Sequence, residues 1–233
     1  MSTPTQQDFI DVIREELGLV PGDVDWAMLK LVTDRLGVFP SSLVANGEPV
    51  IDSPEVAVLI GHTPGTGAWS VDGQEEWHWN KPVARMVIEK LIKRGVGAIT
   101  VQRTKEAYSP AVKHYAKVLN AIPTVRAVVE LHFNSAGSPT AGGHEYIYAG
   151  QDGRELASCM SASHSSTFPW QRDRGIKRPF YGRGSSLLKS LKAAAVIAEP
   201  AFGSNPTEWD RFKGEQEAYA TALTEGIAKY LDK

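Results

Sequence analysis

Three short apolar runs in this chain each end on a side chain that can bind a metal ion or carry a proton. The residues that end the runs are His62, His132 and Glu199. Runs of this length, rich in β-branched residues and bounded by Gly or Pro, are typical of buried strands in an α/β sheet. Because sites in open α/β sheets form at the carboxyl ends of the strands, we expect the three side chains to meet at one edge of a sheet.

The segments between these runs have the residue spacing of helices. Val83, Met86, Val87 and Leu91 form an apolar stripe, and Gly95 then ends it. The pattern predicts helices over 75–94, about 112–122 and 153–166, and C-terminal helices that begin at Asn205-Pro-Thr-Glu. It also predicts strands over 98–102, 127–132 and 143–149, and a polar loop over 169–184. The strand at 143–149 alternates and is expected nearer the edge. The predicted fold class is α/β, with a twisted, mostly parallel sheet flanked by helices and a small helical segment before it.

The composition excludes several classes of protein. No apolar stretch approaches the roughly 20 residues that cross a bilayer, and a net charge of −2 gives no basic surface for nucleic acid. Cys159 is the only cysteine, which excludes an intramolecular disulfide and a zinc site built of cysteines alone. The first eight residues lack the basic and apolar regions of a signal peptide, so we expect synthesis in the cytoplasm.

The residues at the predicted sheet edge indicate metal-dependent hydrolysis. Catalytic zinc sites use three protein ligands and keep one position open for water. His62 and His132 are two candidate ligands, and the third must come from a nearby element. Glu75 or Glu76, at the start of the first predicted helix, can fold back beside His62. Glu199 then remains as a carboxylate that takes a proton from water and returns it to a leaving amine.

Several motifs follow one another in a characteristic order. They are Gly61-His62, Glu76-Trp-His-Trp-Asn80, Arg103-Thr104, Leu131-His132-Phe-Asn134, Gly143-His-Glu145-Tyr-Ile-Tyr148, Arg174-Gly175 and Glu199-Pro-Ala-Phe-Gly-Ser-Asn205-Pro. Residues 55–231 thereby resemble the zinc-dependent N-acetylmuramoyl-L-alanine amidases of the amidase-3 type, particularly those that serve as phage endolysins. Such enzymes cut the amide between N-acetylmuramic acid and the L-alanine that begins the stem peptide of peptidoglycan.

The resemblance implies a role for each candidate residue. One Zn²⁺ ion would be bound by His62, Glu76 and His132, and Glu199 would be the catalytic acid and base. The family's glutamate typically stands four residues before an asparagine, which favours Glu76, ahead of Asn80, over Glu75. The implied partner is bacterial peptidoglycan, and we expect a monomer. An endolysin would wait in the host cytoplasm and act on the wall after the membrane is opened.

The chain departs from the family pattern at three places. The glycine-rich stretch around the first histidine is Gly61-His-Thr-Pro-Gly-Thr-Gly, and the arginine usual in the helix before the third strand is replaced by Lys113. A small polar residue often stands two before the second histidine, where this chain has Glu130. Glu130 shares a strand face with His132, so we expect it to contact that imidazole.

Three other functions compete with the amidase hypothesis. A peptidoglycan endopeptidase or carboxypeptidase would use a similar set of zinc ligands. A cell-wall-binding protein would keep the fold without turnover, although the intact Glu199 argues against this. A purely structural metal is the third alternative. Product analysis separates the two enzymes, because an amidase releases peptides that begin with a free L-alanine amine.

Outside the predicted ligand set, the sequence predicts locations or roles for other polar and aromatic residues. His78 points to another helix face than Glu76, His114 and His164 are expected at the surface, and either His144 or Glu145 faces the site. Glu75 is expected as a solvated helix residue. The remaining candidates are left open: Trp69, Trp77 and Trp79 for core packing or sugar stacking, and Arg174, Lys177 and Arg183 for the oxyanion or stem-peptide carboxylates.

The N-terminal part of the chain differs from the rest in its net charge. Residues 1–50 carry three basic and eight acidic side chains, a net charge of −5, whereas the remainder carries +3. Two short apolar stripes predict a helical segment over 1–40, followed by a linker over 41–54 and a catalytic domain over 55–233. Leu17-Gly-Leu and Asp25-Trp-Ala-Met-Leu resemble small helical peptidoglycan-binding modules. A helical pair docked on the catalytic domain is the alternative.

Overall fold

The computed structural model describes residues 54–102, 108–179 and 185–233. The predicted helical segment at 1–40 and all but the last residue of the predicted linker lie outside these ranges. Arg103, Thr104 and Arg183 also lie outside them, and so does the side chain of His114.

Six described strands form one mixed sheet. The strands are β1 (Val56–Ile60), β2 (Ala98–Gln102), β3 (Ala127–Leu131), β4 (His144–Ala149), β5 (Asp173–Lys177) and β6 (Ala194–Glu199). Their order across the sheet is β2-β1-β3-β6-β4-β5. Every neighbouring pair is parallel except β4 and β6, which are antiparallel. The prediction of a mostly parallel sheet in an α/β fold is confirmed.

The described helices pack on both faces of this sheet. They are α1 (Glu76–Lys93), α2 (Tyr108–Asn120), α3 (Gly150–Thr167), α4 (Ser185–Ser190), α5 (Pro206–Phe212) and α6 (Gln216–Leu231). One apolar layer lies between the sheet and α1, α3, α5 and α6. The other lies between the sheet and α2 and α4. In every strand except β5, alternate residues enter opposite layers, so the apolar runs are buried on both faces.

Two elements were not predicted. The polar loop expected over 169–184 contains the edge strand β5, and α4 follows it. Strand β5 reads Asp-Arg-Gly-Ile-Lys, and none of its residues is fully buried. With Ile176 as its only apolar side chain, it has no alternating pattern from which a strand could be recognised. Its backbone pairing with β4, and not its composition, makes it a strand.

Pairing continues just beyond the strands that carry the candidate ligands. The Gly61 amide donates to the Leu131 carbonyl at 2.9 Å, and the His132 amide donates to the Ala198 carbonyl at 3.0 Å. The three strand ends are therefore held side by side, as expected for the carboxyl edge of parallel strands. Among the described helices, none is both long and apolar enough to span a membrane.

Candidate metal centre

The side chains of His62, Glu76 and His132 converge at this edge. One potential ligand atom from each residue lies within 4.8 Å of the others. His132 Nδ1 is 2.8 Å from Glu76 Oε1, and His62 Nε2 is 3.5 Å from Glu76 Oε2. The two imidazole rings meet edge to face, with centroids 4.9 Å apart. The structure thus brings together the three residues that the resemblance implies as ligands.

Glu76 is fixed by two backbone amides from two different segments. As the first residue of α1, it accepts a hydrogen bond from the Ala68 amide at 2.7 Å on Oε2. The Phe133 amide donates to Oε1 at 3.1 Å. The side chain is 2% exposed, so burial and these two hydrogen bonds fix the orientation of its carboxylate. The loop after β1 and the segment after β3 are thereby tied to one carboxylate.

Two glycines make room for the imidazoles. A Cβ atom on Gly61 would lie 2.4 Å from the His132 ring, and one on Gly67 would lie 2.7 Å from the His62 ring. Gly67 also has φ of +93°, a conformation that side chains with a Cβ rarely adopt. His62 itself has φ of +65°, which is uncommon outside glycine. Backbone strain of this kind occurs mainly where surrounding structure enforces it, often at functional sites.

Charge interactions among these side chains shift their pKa values. Burial alone would lower the pKa of His132, but the carboxylates of Glu130 and Glu76 raise it well above its usual range. Burial alone would raise the pKa of Glu76, but the hydrogen bond from His132 and the charges of both histidines lower it. The cluster therefore has the negative potential of a cation site, in which a protonated imidazole offsets the carboxylates.

The donor set fits a catalytic zinc ion. Two imidazole nitrogens and one carboxylate are a known ligand set for catalytic zinc, whereas calcium and magnesium prefer oxygen ligands alone. His62 is 30% exposed at its side chain, so the cluster is reachable from solvent. Because Gly61 and Gly67 carry no Cβ atom, the two imidazoles can lie close to the Glu76 carboxylate. These residues are thus suited to hold the ion that the family implies.

Glu199 ends β6, beside the strand that leads to His132. In the antiparallel pairing of β4 with β6 it lies directly opposite Glu145, so the two side chains share a face of the sheet. Both are buried, with Glu199 7% exposed and Glu145 1% exposed. The carboxyl end of β6 therefore places two buried carboxylates side by side on one face of the sheet.

The negative charge of Glu145 is balanced by two basic side chains of β5. Its Oε2 accepts from Arg174 Nε at 2.7 Å and from Lys177 Nζ at 2.6 Å. The Asn134 amide donates to Oε1 at 3.0 Å. Burial alone would raise the pKa of Glu145, but these hydrogen bonds and the two positive charges lower it to about 2. Either His144 or Glu145 was expected to face the site. Glu145 is the residue that shares the sheet face of Glu199.

Glu75 is not the solvated residue that the sequence predicted. It is 5% exposed, and its carboxylate accepts from the Gly65 amide and lies 2.8 Å from His78 Nδ1. The first contact holds the loop after β1, and the second stays within the first turn of α1. Glu75 precedes the helix with extended backbone, whereas Glu76 is its first residue, so the two side chains project in different directions.

His164 was predicted at the surface, and this is wrong. It is fully buried among aromatic rings and stacks on His144, with ring centroids 4.0 Å apart. Trp77 and Trp79 are also buried, whereas Trp69 is 54% exposed and so does not pack in the core. The sequence missed the burial of His164 because α3 is rich in Ser, Ala and Gly and has a weak apolar stripe.

Comparison with known proteins supports the same fold and family. Residues 56–229 match the family Amidase_3, described as N-acetylmuramoyl-L-alanine amidase. No match to a curated protein sequence was found. An N-acetylmuramoyl-L-alanine amidase from Clostridium difficile 630 is 25% identical over 78% of this chain and 98% of its own, with a TM-score of 0.65.

Two further solved structures share the fold at lower identity. The catalytic domain of CwlV, an N-acetylmuramoyl-L-alanine amidase from Bacillus (Paenibacillus) polymyxa var. colistinus, is 23% identical, with 76% of this chain and 98% of that chain covered and a TM-score of 0.66. The catalytic domain of the CD27L endolysin, which targets Clostridia difficile, is 23% identical, with 75% and 96% covered and a TM-score of 0.64. Because the family match spans most of the chain, the chain belongs to the Amidase_3 family of N-acetylmuramoyl-L-alanine amidases.

Proposed function

We propose that this chain is a zinc-dependent enzyme that hydrolyses the amide between N-acetylmuramic acid and L-alanine and so degrades the bacterial cell wall. The observation that carries the proposal is the convergence of His62, Glu76 and His132 within 4.8 Å at the carboxyl edge of the sheet. The family supplies the substrate, and the cluster supplies a ligand set that suits zinc.

Each residue of the edge has a chemical task in this proposal. His62, Glu76 and His132 hold one zinc ion. When bound, zinc polarises the scissile carbonyl and lowers the pKa of water to about 7, which provides a nucleophile at neutral pH. The Glu199 carboxylate accepts the proton of the attacking water and delivers it to the nitrogen of the departing L-alanine. Arg174 and Lys177 act on Glu145, which keeps that carboxylate ionised beside Glu199.

The proposal includes a lytic role as a phage endolysin acting on host peptidoglycan. Its support is the ordered set of motifs that ends with Glu199-Pro-Ala-Phe-Gly-Ser-Asn205-Pro. Adding the purified protein to host cells with and without a permeabilised outer barrier tests this role, with loss of turbidity as the readout. Cleavage of isolated wall without loss of turbidity in any permeabilised host would contradict it.

Mass spectrometry of digested peptidoglycan tests the reaction. Purified wall is incubated with the protein, with a chelator, and with chelator followed by added zinc. We expect peptides that begin with a free L-alanine amine, lost on chelation and restored by zinc, with the sugar chain intact. Cleavage within the stem peptide would favour the endopeptidase or carboxypeptidase alternative. Absence of products under every metal condition would favour a wall-binding protein.

Glu199→Gln tests the proton-transfer step separately from metal binding. The amide has nearly the same shape but cannot accept the proton, so we expect kcat to fall about 10²–10⁴-fold, the usual contribution of a general acid or base. Zinc affinity should be unchanged, because Glu199 is not among the three convergent residues. A variant that cleaves as fast as the parent would exclude the proposed role of Glu199.

A further inference from the structure

Glu130 is a carboxylate placed inside an apolar layer of the sheet. It lies in β3, where its register partners are Leu59 on β1 and Ile197 on β6. Both partners belong to the apolar layer beneath α2 and α4. Glu130 itself is 3% exposed. Burying an ionised carboxylate among aliphatic side chains is costly, so its place in this strand requires a compensating interaction.

The compensating group includes the imidazole of His132. Glu130 Oε2 lies 3.3 Å from His132 Nε2, while the other ring nitrogen, Nδ1, lies 2.8 Å from Glu76. The imidazole is therefore held between two carboxylates, one at each nitrogen. Only the Nδ1 side is directed toward Glu76, which His62 also contacts. The Nε2 side faces Glu130.

We propose that Glu130 is a positioning residue that accepts the Nε2–H of His132 and so fixes the tautomer in which the Nδ1 lone pair is offered to the metal. This inference rests on the proposed zinc-dependent function. A carboxylate behind a metal-binding imidazole orients the ring and increases the basicity of the ligating nitrogen. It also removes the tautomer in which Nδ1 carries the proton and cannot bind.

A purely structural role for Glu130 predicts different behaviour. Removing one partner of a buried charged pair commonly destabilises a fold, because the other charge loses its counterpart. Leucine at position 130 would fill the space beside Leu59 and Ile197 but would remove the charge interaction with His132. We therefore expect metal-free Glu130→Leu to be less stable than the parent. A purely structural role predicts that zinc affinity falls only as far as in an equally destabilised variant, whereas a positioning role predicts a larger loss of affinity.

Zinc titration against a chromophoric chelator at fixed pH tests the inference directly. We expect Glu130→Leu to weaken zinc affinity about 10–100-fold, the usual effect of removing such a partner. Glu130→Gln keeps an oxygen that accepts the Nε2–H, so this variant should lose clearly less zinc affinity than Glu130→Leu. The melting temperature of each metal-free variant is measured alongside, so that zinc affinities are compared between variants of similar stability.

Glu208→Gln is the matched control for burial. Glu208 is a buried carboxylate, 8% exposed, that accepts from the Gly143 and Phe202 amides and contacts none of the three convergent residues. We expect it to lose stability but to keep zinc affinity within about twofold of the parent. The affinity loss in the Glu130 variants can then be separated from general loosening of the fold.

A spectroscopic measurement identifies the tautomer itself. In ¹⁵N-detected histidine spectra of the zinc-loaded parent, His132 should carry its proton on Nε2, and this proton signal should shift or disappear in Glu130→Leu. Unchanged zinc affinity in Glu130→Leu, or a proton on Nδ1 in the loaded parent, would overturn the inference and leave the proposed function intact. Failure of the parent to bind zinc would overturn both.

Discussion

The protein contains two close pairs of histidines in opposite chemical surroundings. His62 and His132 meet edge to face at 4.9 Å, whereas His144 and His164 stack at 4.0 Å. The first pair lies at the end of two parallel strands and contacts Glu76. The second pair is 0% exposed and lies among aromatic rings, with the Asp173 carboxylate 3.4 Å from His144 Nε2.

The neighbours of each pair decide its protonation. Carboxylates hold the pKa of His132 well above its usual range, whereas burial, with the nearby charge of His144, lowers the pKa of His164 to about 3. The partners of His164 are the Tyr146 hydroxyl at 2.9 Å and the Gln171 amide oxygen at 2.7 Å. The comparison shows that proximity of two histidines does not make a cation site. Two carboxylates that face His132 and the access of His62 from solvent distinguish the first pair. At the second pair, burial outweighs the single Asp173 carboxylate, and the pKa of His144 is lowered.

The largest effect is expected from removing one ligand of the first pair. His132→Ala should lose zinc binding, and activity should fall to the level of the chelated parent, because two ligands cannot hold a catalytic ion. The same substitution in the second pair, His164→Ala, should destabilise the fold but keep zinc bound. Metal content of the purified variants and rates on peptidoglycan check both statements. Zinc retained in His132→Ala would break the comparison.

A large effect on stability alone is expected from the aromatic cluster around the second pair. Phe212 is fully buried and packs near His164, Phe168 and Tyr219. Truncating a buried phenylalanine to alanine costs about 3–5 kcal/mol, so Phe212→Ala should lower the free energy of unfolding by that amount. Denaturant titration measures it. The rate per folded molecule should equal that of the parent, and a matching loss of rate would show that the two regions are coupled.

An effect that is confined to acidic pH is expected from titrating the second pair. His164 has a folded pKa of about 3 and an unfolded pKa of about 6.5, so the unfolded chain binds more protons between these values. Stability should therefore fall as the pH decreases from about 6.5 toward 3, by up to about 1.4 kcal/mol for each pH unit. His164→Phe should flatten this part of the profile. An identical slope in parent and variant would assign the dependence to other groups.

The smallest stability effect is expected at Trp69, an exposed aromatic residue in the loop after β1. It follows Ala68, whose amide donates to the Glu76 carboxylate. Since the indole is 54% exposed, Trp69→Ala should change the free energy of unfolding by less than about 0.5 kcal/mol. If the indole stacks on a sugar ring, KM for polymeric peptidoglycan rises while kcat stays unchanged. Equal KM values for parent and variant would exclude that contact.

Much of the fold could be predicted because its central strands are apolar on both faces. The runs leading to His62, His132 and Glu199 have no other reasonable location than the interior of a sheet. Edge strand β5 and the short α4 could not be predicted in the same way. Strand β5 is half exposed and polar, and its pairing with β4 depends on contacts far apart in sequence.

The sequence by itself determined which side chains end the central strands, because the length and composition of an apolar run fix where a buried strand begins and ends. It also placed Glu75 and Glu76 together at the start of a helix. The family resemblance favoured Glu76 through its spacing to Asn80, but only the tertiary structure shows what orients it, since the Ala68 and Phe133 amides bind its carboxylate. The tertiary structure likewise decided that His132 faces carboxylates while His164 stacks in the core, because charge and burial depend on neighbours that sequence distance does not reveal.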